Sequence, residues 1–339
     1  MLDLRSMEYG ELEAFLMELG EPKFRAKQVF SWLMQGVDDI SEMTNISKKT
    51  KELILEKAYI SRLRIREKYI SKLDGTVKYL FELDDGNCIE TVVMEYKHGL
   101  SVCISSQVGC RMGCGFCAST IGGLYRSLSA GEILNQVIYA QKDIGKRISN
   151  IVMMGIGEQL DNYDNVIKFL HNVNHPDGLN IGYRHISLST CGLVDKIRKL
   201  ANENLPITLS VSLHAPNNEI RDKIMPVNKK YRVEELIEAC REYIKITNRR
   251  ISFEYSLIAG VNDSEENAYE LAKLLKGMLC HINLIPVNHV EEREFYKGDA
   301  LSIRNFQDKL MSLGMNATVR RELGSDISAS CGQLRKKVL

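Results

Sequence analysis

Apolar side chains in the first sixty residues recur at helical spacing. Leu12, Phe15, Leu16 and Leu19 precede a break at Gly20-Glu-Pro22, and Phe24, Val29, Phe30, Trp32 and Leu33 follow it. Turn residues fill Gly36–Ser47, and Lys48–Lys57 reads as a third short helix. Residues 1–58 are therefore expected to be a small helical domain, close to the lower size limit for independent stability. Such a unit is expected to pack on the rest of the chain or on a partner. The texture changes at Ile60. Residues 59–98 read as a β-rich connecting segment: Arg62–Arg66 alternates basic and apolar residues, Val77–Leu83 and Cys88–Met94 are strand-like, and Asp84-Asp-Gly-Asn87 turns between them.

From Gly99 onward short apolar runs alternate with amphipathic stretches. Strands are expected at Leu100–Ile104, Asn150–Met154, Arg184–Leu188, Ile207–Leu213, Ile251–Leu257, His281–Val287 and Ala317–Arg320. Helices are expected at Ser129–Ile144, Asn162–Asn172, Val194–Asn202, Val233–Ile246, Ser264–Lys276 and Ser302–Leu313. The fold class is α/β, and six helices are too few for a closed eight-fold barrel. Residues 99–339 should form an open partial (β/α)6 barrel. In such folds the site lies on the loops that follow the strands. Here those loops hold the polar and glycine-rich segments: Gln107–Thr120, Gly155–Glu158, Ser189–Gly192, Ser212–His214, Asn288 and Gly324–Gly332.

Charge adds little, because 45 basic and 44 acidic residues leave a net +1. A nucleic-acid surface would have to be local, and Lys23, Arg25 and Lys27, the Arg62–Arg66 strand, and Arg335-Lys-Lys337 are the candidates. Each serves equally well as solvated charge. No apolar run approaches the roughly 20 residues of a membrane span, and the N-terminus lacks a signal-peptide core. A cytoplasmic, monomeric protein without a membrane partner is expected. Nine cysteines in such a chain argue for reduced thiols with chemical roles.

Three of them dominate. Cys110, Cys114 and Cys117 are spaced by three residues and then two, in Q-V-G-C-R-M-G-C-G-F-C-A-S-T. Structural zinc almost always takes four protein ligands, whereas a four-iron cube held by three cysteines keeps one iron open. A zinc knuckle completed by a distant Cys or His is the alternative. Gly109, Gly113 and Gly115 would let the backbone approach a cluster and donate N–H groups to its sulfides, and Phe116 would shield it. Gly155-x-Gly157-Glu158 offers an open backbone edge and a carboxylate for an ammonium group. Ser189, Ser212 and Asn288 serve as ligand contacts or as helix caps, and His214 more often as a satisfied buried histidine. Cys331 lies in a small-residue loop able to bring a thiol over the cluster, with Cys103 seven residues before Cys110. Cys88, Cys191, Cys240 and Cys280 lack such company and read as structural.

The three-cysteine spacing resembles the radical S-adenosylmethionine (SAM) signature, and further segments resemble the RlmN/Cfr family of radical SAM RNA methyltransferases along the whole chain. They are P-K-F-R-A-K-Q from Pro22, C-I-S-S-Q-V-G-C from Cys103, V-S-L-H-A-P from Val211, G-V-N-D-S from Gly260, N-L-I-P-V-N from Asn283, R-R-E-L-G-S-D-I from Arg320 and C-G-Q-L from Cys331. The resemblance implies a [4Fe-4S] cluster on Cys110, Cys114 and Cys117, and SAM contacts at Gly157, Glu158, Ser189, Ser212, Leu213, His214 and Asn288. It also implies a methyl-carrying Cys331, a resolving Cys103 and a proton-accepting Glu90. Gln159 departs from the proline usual after Gly-Glu, which bears on loop rigidity.

The implied activity is methylation of C2 of adenine in 23S rRNA and in the tRNA anticodon loop. Adenine C2 is electron-poor and will not attack the methyl group of SAM, so a radical route is needed. One SAM would methylate Cys331 and a second would yield the radical that takes a hydrogen from its S-methyl group. Addition to C2, proton removal by Glu90 and attack by Cys103 would then release the methylated base and leave a disulfide. A flavodoxin-like or other low-potential donor would supply electrons. The rivals are a Cfr-type enzyme acting at adenine C8, a radical SAM activase acting on protein, and a zinc-stabilised RNA-binding module.

Overall fold

The computed structural model describes residues 1–335. Strand β1 (Leu2–Asp3) pairs in parallel with β2 (Ala58–Tyr59), closing the two ends of the N-terminal module onto each other. Between them lie α1 (Tyr9–Glu18), α2 (Phe24–Gln35) and α3 (Lys48–Lys57), the three helices expected from periodicity. Glu8 and Glu11 form a capping box on α1, and α2 stops where Gly36 takes a left-handed φ of 83°.

Next come β3 (Leu63–Ile70), β4 (Val77–Leu83), β5 (Cys88–Tyr96) and β6 (Gly99–Cys103), an antiparallel meander. A short hairpin of β7 (Gln107–Gly109) and β8 (Leu124–Ser127) precedes α4 (Ala130–Ile144). The chain then alternates through β9 (Ile148–Met153), α5 (Tyr163–Asn174), β10 (Ile186–Thr190), α6 (Val194–Ala201) and β11 (Thr208–Ser212). It continues with α7 (Asn218–Ile224), α8 (Val233–Thr247), β12 (Ile251–Leu257), α9 (Glu265–Leu275), β13 (Cys280–Pro286), α10 (Ala300–Ser312) and β14 (Ala317–Val319).

Ten strands form one open sheet in the order β14-β13-β12-β11-β10-β9-β6-β5-β4-β3. From β6 to β14 all neighbours are parallel, as six strand–helix crossovers require. This is the expected α/β partial barrel, and the sheet of residues 63–96 is hydrogen-bonded directly onto it. Bulging between Ile65 and Glu67 interrupts the even alternation expected for the arginine strand, and Arg62, Arg64, Ile65 and Arg66 are all exposed on this sheet edge. The expected strand start at Arg184 is a 3-10 turn, Tyr183–His185, with the strand beginning at Ile186.

A continuous apolar core joins the module to the barrel, with Phe30 and Leu33 in the same cluster as Val102, Ile151 and Leu188. Arg5, fully buried, donates to Leu33 O (3.2 Å), Ser61 O (2.8 Å), Asn135 Oδ1 (2.8 Å) and Val37 O, stitching the N-terminus to α4. No helix among the described residues is long and apolar enough to cross a membrane.

Candidate active site

The β7/β8 hairpin grips both ends of the cysteine loop. Cys110 N–H donates to Gly123 O (3.1 Å), and Gly109 has φ +80° with no room for a side chain, since a Cβ there would sit 1.9 Å from Gly123 O. Inside the loop, Cys117 N–H donates to Cys114 O (3.2 Å), and Thr120 Oγ1 donates to the carbonyls of Cys114 (3.2 Å) and Cys117 (2.9 Å). Gly115 corrects an expectation: its N–H is taken by Ile224 O at 2.8 Å and is not available to a sulfide. Cys110, Cys114 and Cys117 all line one cavity. Burial pushes the thiol of Cys110 up to about 12 and raises Cys114 and Cys117, and neighbouring thiols add to this in each. They become thiolates together only against strong positive charge, which iron provides.

The loop after β9 supplies the facing shelf. Gly157 has φ +110°, and a Cβ there would lie 2.7 Å from the Gln107 side chain. Glu158 N–H donates to Gln107 Oε1 (2.9 Å), and the Glu158 carboxylate accepts from Leu160 N–H (3.1 Å) and Cys191 N–H (2.7 Å). Burial raises the Glu158 pKa while these donors pull it back. The result is a sequestered carboxylate on the cavity wall, suited to an ammonium ligand.

Ser189, Ser212, His214 and Asn288 also line the cavity, from the ends of three strands, β10, β11 and β13. His214 Nδ1 accepts from Ser256 N–H (2.8 Å), which leaves the proton on Nε2. Burial, with the Arg221 charge behind it, holds His214 down to about 3, so the ring is neutral. Phe116 packs edge-on against it at 4.9 Å. Leu213 stands apart: its side chain is in the core, its N–H donates to Glu254 O and its carbonyl accepts from Arg221. Sequence reasoning missed Cys191, Glu254 and Arg320, which share the cavity wall. Cys191 was expected to be structural, and its place beside Cys114 follows from adjacency of strand ends, which no local pattern encodes.

Cys331 lines this cavity and also the adjoining apolar one, where Cys103 lies among Val92, Met94 and Leu323. Burial and then the neighbouring Cys331 push the Cys103 thiol up to about 12. The loop bearing Cys331 is stitched down by Asn288 Nδ2 to Cys331 O (2.8 Å), Ala118 N–H to Gly332 O (2.7 Å) and Ser119 Oγ to Leu334 O (2.6 Å). Glu90 sits elsewhere. It lines a third cavity on the far side of that loop, pairs with Lys78 at 3.3 Å and accepts from Arg335 N–H at 2.8 Å. The basic candidates are largely ion-paired: Lys23 with Glu13 (3.4 Å), Arg25 with Glu21 (3.0 Å), Lys27 with Asp177 (2.9 Å), Arg66 with Glu82 (3.2 Å) and Arg335 with Glu292 (2.6 Å). Lys336 and Lys337 lie outside the described residues.

Residues 104–272 match the model of the radical SAM superfamily, and residues 2–60 that of the ribosomal RNA large subunit methyltransferase N-terminal domain. Over 99% of its length the chain is 56% identical to a protein of Alkaliphilus metalliredigens (strain QYMF) named "Probable dual-specificity RNA methyltransferase RlmN", covering 96% of that protein. The chain belongs to the RlmN family. A relative of the same name from Clostridium novyi (strain NT) is 55% identical, with 100% of this chain and 99% of the relative covered. Among solved structures, a radical SAM methyltransferase from Sphaerobacter thermophilus superposes with a TM-score of 0.94 at 42% identity, covering 98% of this chain and 99% of that one. This RlmN-family chain is thus a SAM-dependent RNA methyltransferase of the radical SAM type, with a four-iron cluster and SAM as its cofactors.

Proposed function

We propose that the enzyme methylates C2 of adenine in 23S rRNA and in the tRNA anticodon loop, using two SAM molecules per turnover and Cys331 as the methyl carrier. The observation that carries this reading is the position of Cys331 on the wall shared by the cysteine-loop cavity and the Cys103 cavity. Cys110, Cys114 and Cys117 would hold the cluster. Glu158 would take the SAM ammonium, with Gly157, Ser189, Ser212, Leu213, His214 and Asn288 around it. Bound there, cluster and SAM supply a transferable methyl group and a hydrogen-abstracting radical.

The protein's own groups do the rest. Cys331 sulfur takes the methyl group and, as a methylene, bonds to the base. Glu90 accepts the C2 proton once the segment bearing Cys331 and Arg335 shifts and frees the carboxylate from Arg335 N–H, and the neighbouring Lys78 keeps that carboxylate in place. The adduct loses its odd electron to a one-electron carrier, and the Cys103 thiolate then attacks Cys331 sulfur. The sulfur–carbon bond breaks with its electron pair going to carbon, which takes a proton to complete the methyl group, and a dithiol reductant reopens the disulfide. Residues 1–58 and the basic edge of β3 are the proposed RNA-contacting surfaces, and the site of action is the cytoplasm. A flavodoxin-like or other low-potential protein is the proposed electron donor to a monomeric enzyme.

Anaerobic reconstitution with SAM and 23S or tRNA fragments, followed by mass analysis of nucleosides, is expected to yield 2-methyladenosine; 8-methyladenosine would transfer the enzyme to the Cfr type. Cys103→Ala should accumulate protein cross-linked to RNA, whereas Cys331→Ala should keep cluster and SAM binding but make no methylated base. Normal turnover by either variant would remove its assigned role.

A further inference from the structure

Arg221 is fully buried on α7, with its guanidinium clipped to the backs of two strand ends that carry the site. Nε donates to Leu213 O (3.1 Å), Nη2 to Cys191 O (2.6 Å) and Ser212 O (3.3 Å), and Nη1 to Asn228 Oδ1 (3.2 Å). These acceptors are neutral, and no carboxylate forms an ion pair with it among the described residues. Asp222, next in sequence, points its carboxylate instead to Asn228 (2.7 Å) and Arg232 (2.9 Å). A buried cation without a counter-ion is unfavourable.

Arg5 shows that carbonyl oxygens alone can hold a buried guanidinium as a structural clip, so the contacts of Arg221 do not by themselves imply more. What differs is the company. The helix that bears Arg221 packs against the cysteine loop, with Ile224 O accepting from Gly115 N–H at 2.8 Å. Cys114, Cys191, Ile224 and Met225 share one apolar cluster there. Burial disfavours the charge on Arg221, and the groups that offset this are the thiols of Cys191, Cys114 and Cys240 ahead of Asp222. Arg221 does not line the cavity, so it touches neither cluster nor SAM.

We infer that Arg221 is the fixed counter-charge of the cluster held by Cys110, Cys114 and Cys117, raising its reduction potential from behind the Cys114 side of the loop. The inference rests on the cluster assignment proposed above. Reduction adds one electron to the cluster, drawn from a low-potential one-electron donor, and so one more negative charge inside a poorly solvated wall. A nearby fixed cation favours the reduced form over the oxidised one. Because the same side chain braces Ser212 and Cys191, it is a positioning residue with an electrostatic effect that a neutral clip would lack.

Redox titration with dithionite, monitored by electron paramagnetic resonance, tests this on anaerobically reconstituted wild type, Arg221→Gln and Arg221→Lys. Iron and sulfide are counted in each sample. Arg221→Gln should lower the midpoint enough to cut the reduced-to-oxidised ratio about tenfold at the wild-type midpoint, about 59 mV for one electron. Arg221→Lys keeps the charge but not the clip and should retain most of the wild-type potential. An unchanged midpoint in a fully loaded Arg221→Gln protein overturns the inference, as does a lysine variant shifted as far as the glutamine one. Should Arg221→Gln fail to fold, the double variant Asp222→Asn, Asn228→Asp moves a carboxylate onto the guanidinium; it should lower the midpoint, and a constant midpoint overturns the idea. Failure of wild type to bind iron and sulfide would strike the cluster assignment instead.

Discussion

His214 is neutral because of where its ring is held. The main-chain N–H of Ser256 occupies Nδ1, and burial together with the positive charge of Arg221 keeps the folded pKa near 3, below the ordinary 6.5. Below about pH 6.5 the unfolded chain therefore takes up a proton that the folded chain refuses. Stability is full above that pH and should fall on acidification towards pH 3, with this one group contributing up to about 1.4 kcal/mol per pH unit. Urea unfolding of cluster-free protein between pH 7 and pH 4 should show a shallower decline for His214→Gln than for wild type; parallel curves would assign the acid sensitivity to other groups. At this scale the histidine was legible in the sequence as a buried residue at a strand end. Its tautomer was not, because Ser256 lies on the next strand of the sheet.

Within the elements, the Gly157-Glu158-Gln159 turn shows how one substitution acts through backbone geometry. Gln159 opens the 3-10 turn Gln159–Asn162, and Glu158 before it is extended at φ −103° and ψ 116°, the conformation that a residue before proline prefers. The first N–H of a helical turn has no acceptor within it, so proline loses nothing there. Gln159 Oε1 is buried without a hydrogen-bond partner among the described residues, and its amide N–H reaches Gly157 O only at 3.5 Å. Gln159→Pro should therefore stabilise the protein by about 1 kcal/mol, read as a higher melting temperature with unchanged SAM affinity. A lower melting temperature would mean that the glutamine side chain packs better than its hydrogen bonds suggest. The long helices and strands were readable from their periods to within a few residues. The β7/β8 hairpin and α7 were not, since three and seven residues are too few to display a period. Both flank the cysteine loop, so the elements that shape the site were the ones least visible.

For the molecule as a whole, one core and one sheet join the helical module to the barrel. Arg5 is the clearest joint, because four acceptors from α2, the following loop, the β2–β3 link and α4 converge on it. Arg5→Met would take the donor from Val37 O and Asn135 Oδ1, while Leu33 O keeps Gly36 N–H and Ser61 O keeps Asn135 Nδ2, and should cost about 3 kcal/mol. Limited proteolysis of the variant should release a fragment near residue 60 at protease levels that leave wild type intact; equal resistance would show that apolar packing alone holds the module. The α/β class, the run of strands and helices, and the three-cysteine loop can all be read from the chain, since each is written in patterns a few residues long. Packing across the whole molecule is what places Cys331 on walls shared with Cys110, Cys114 and Cys117 and with Cys103, Glu90 behind the Cys331 loop beside Lys78, and Cys191 and Arg221 at the back of the site. The physical reason is that parallel strands bring their ends together across long stretches of chain. Which side chains then face one another is set by register and packing over the whole sheet.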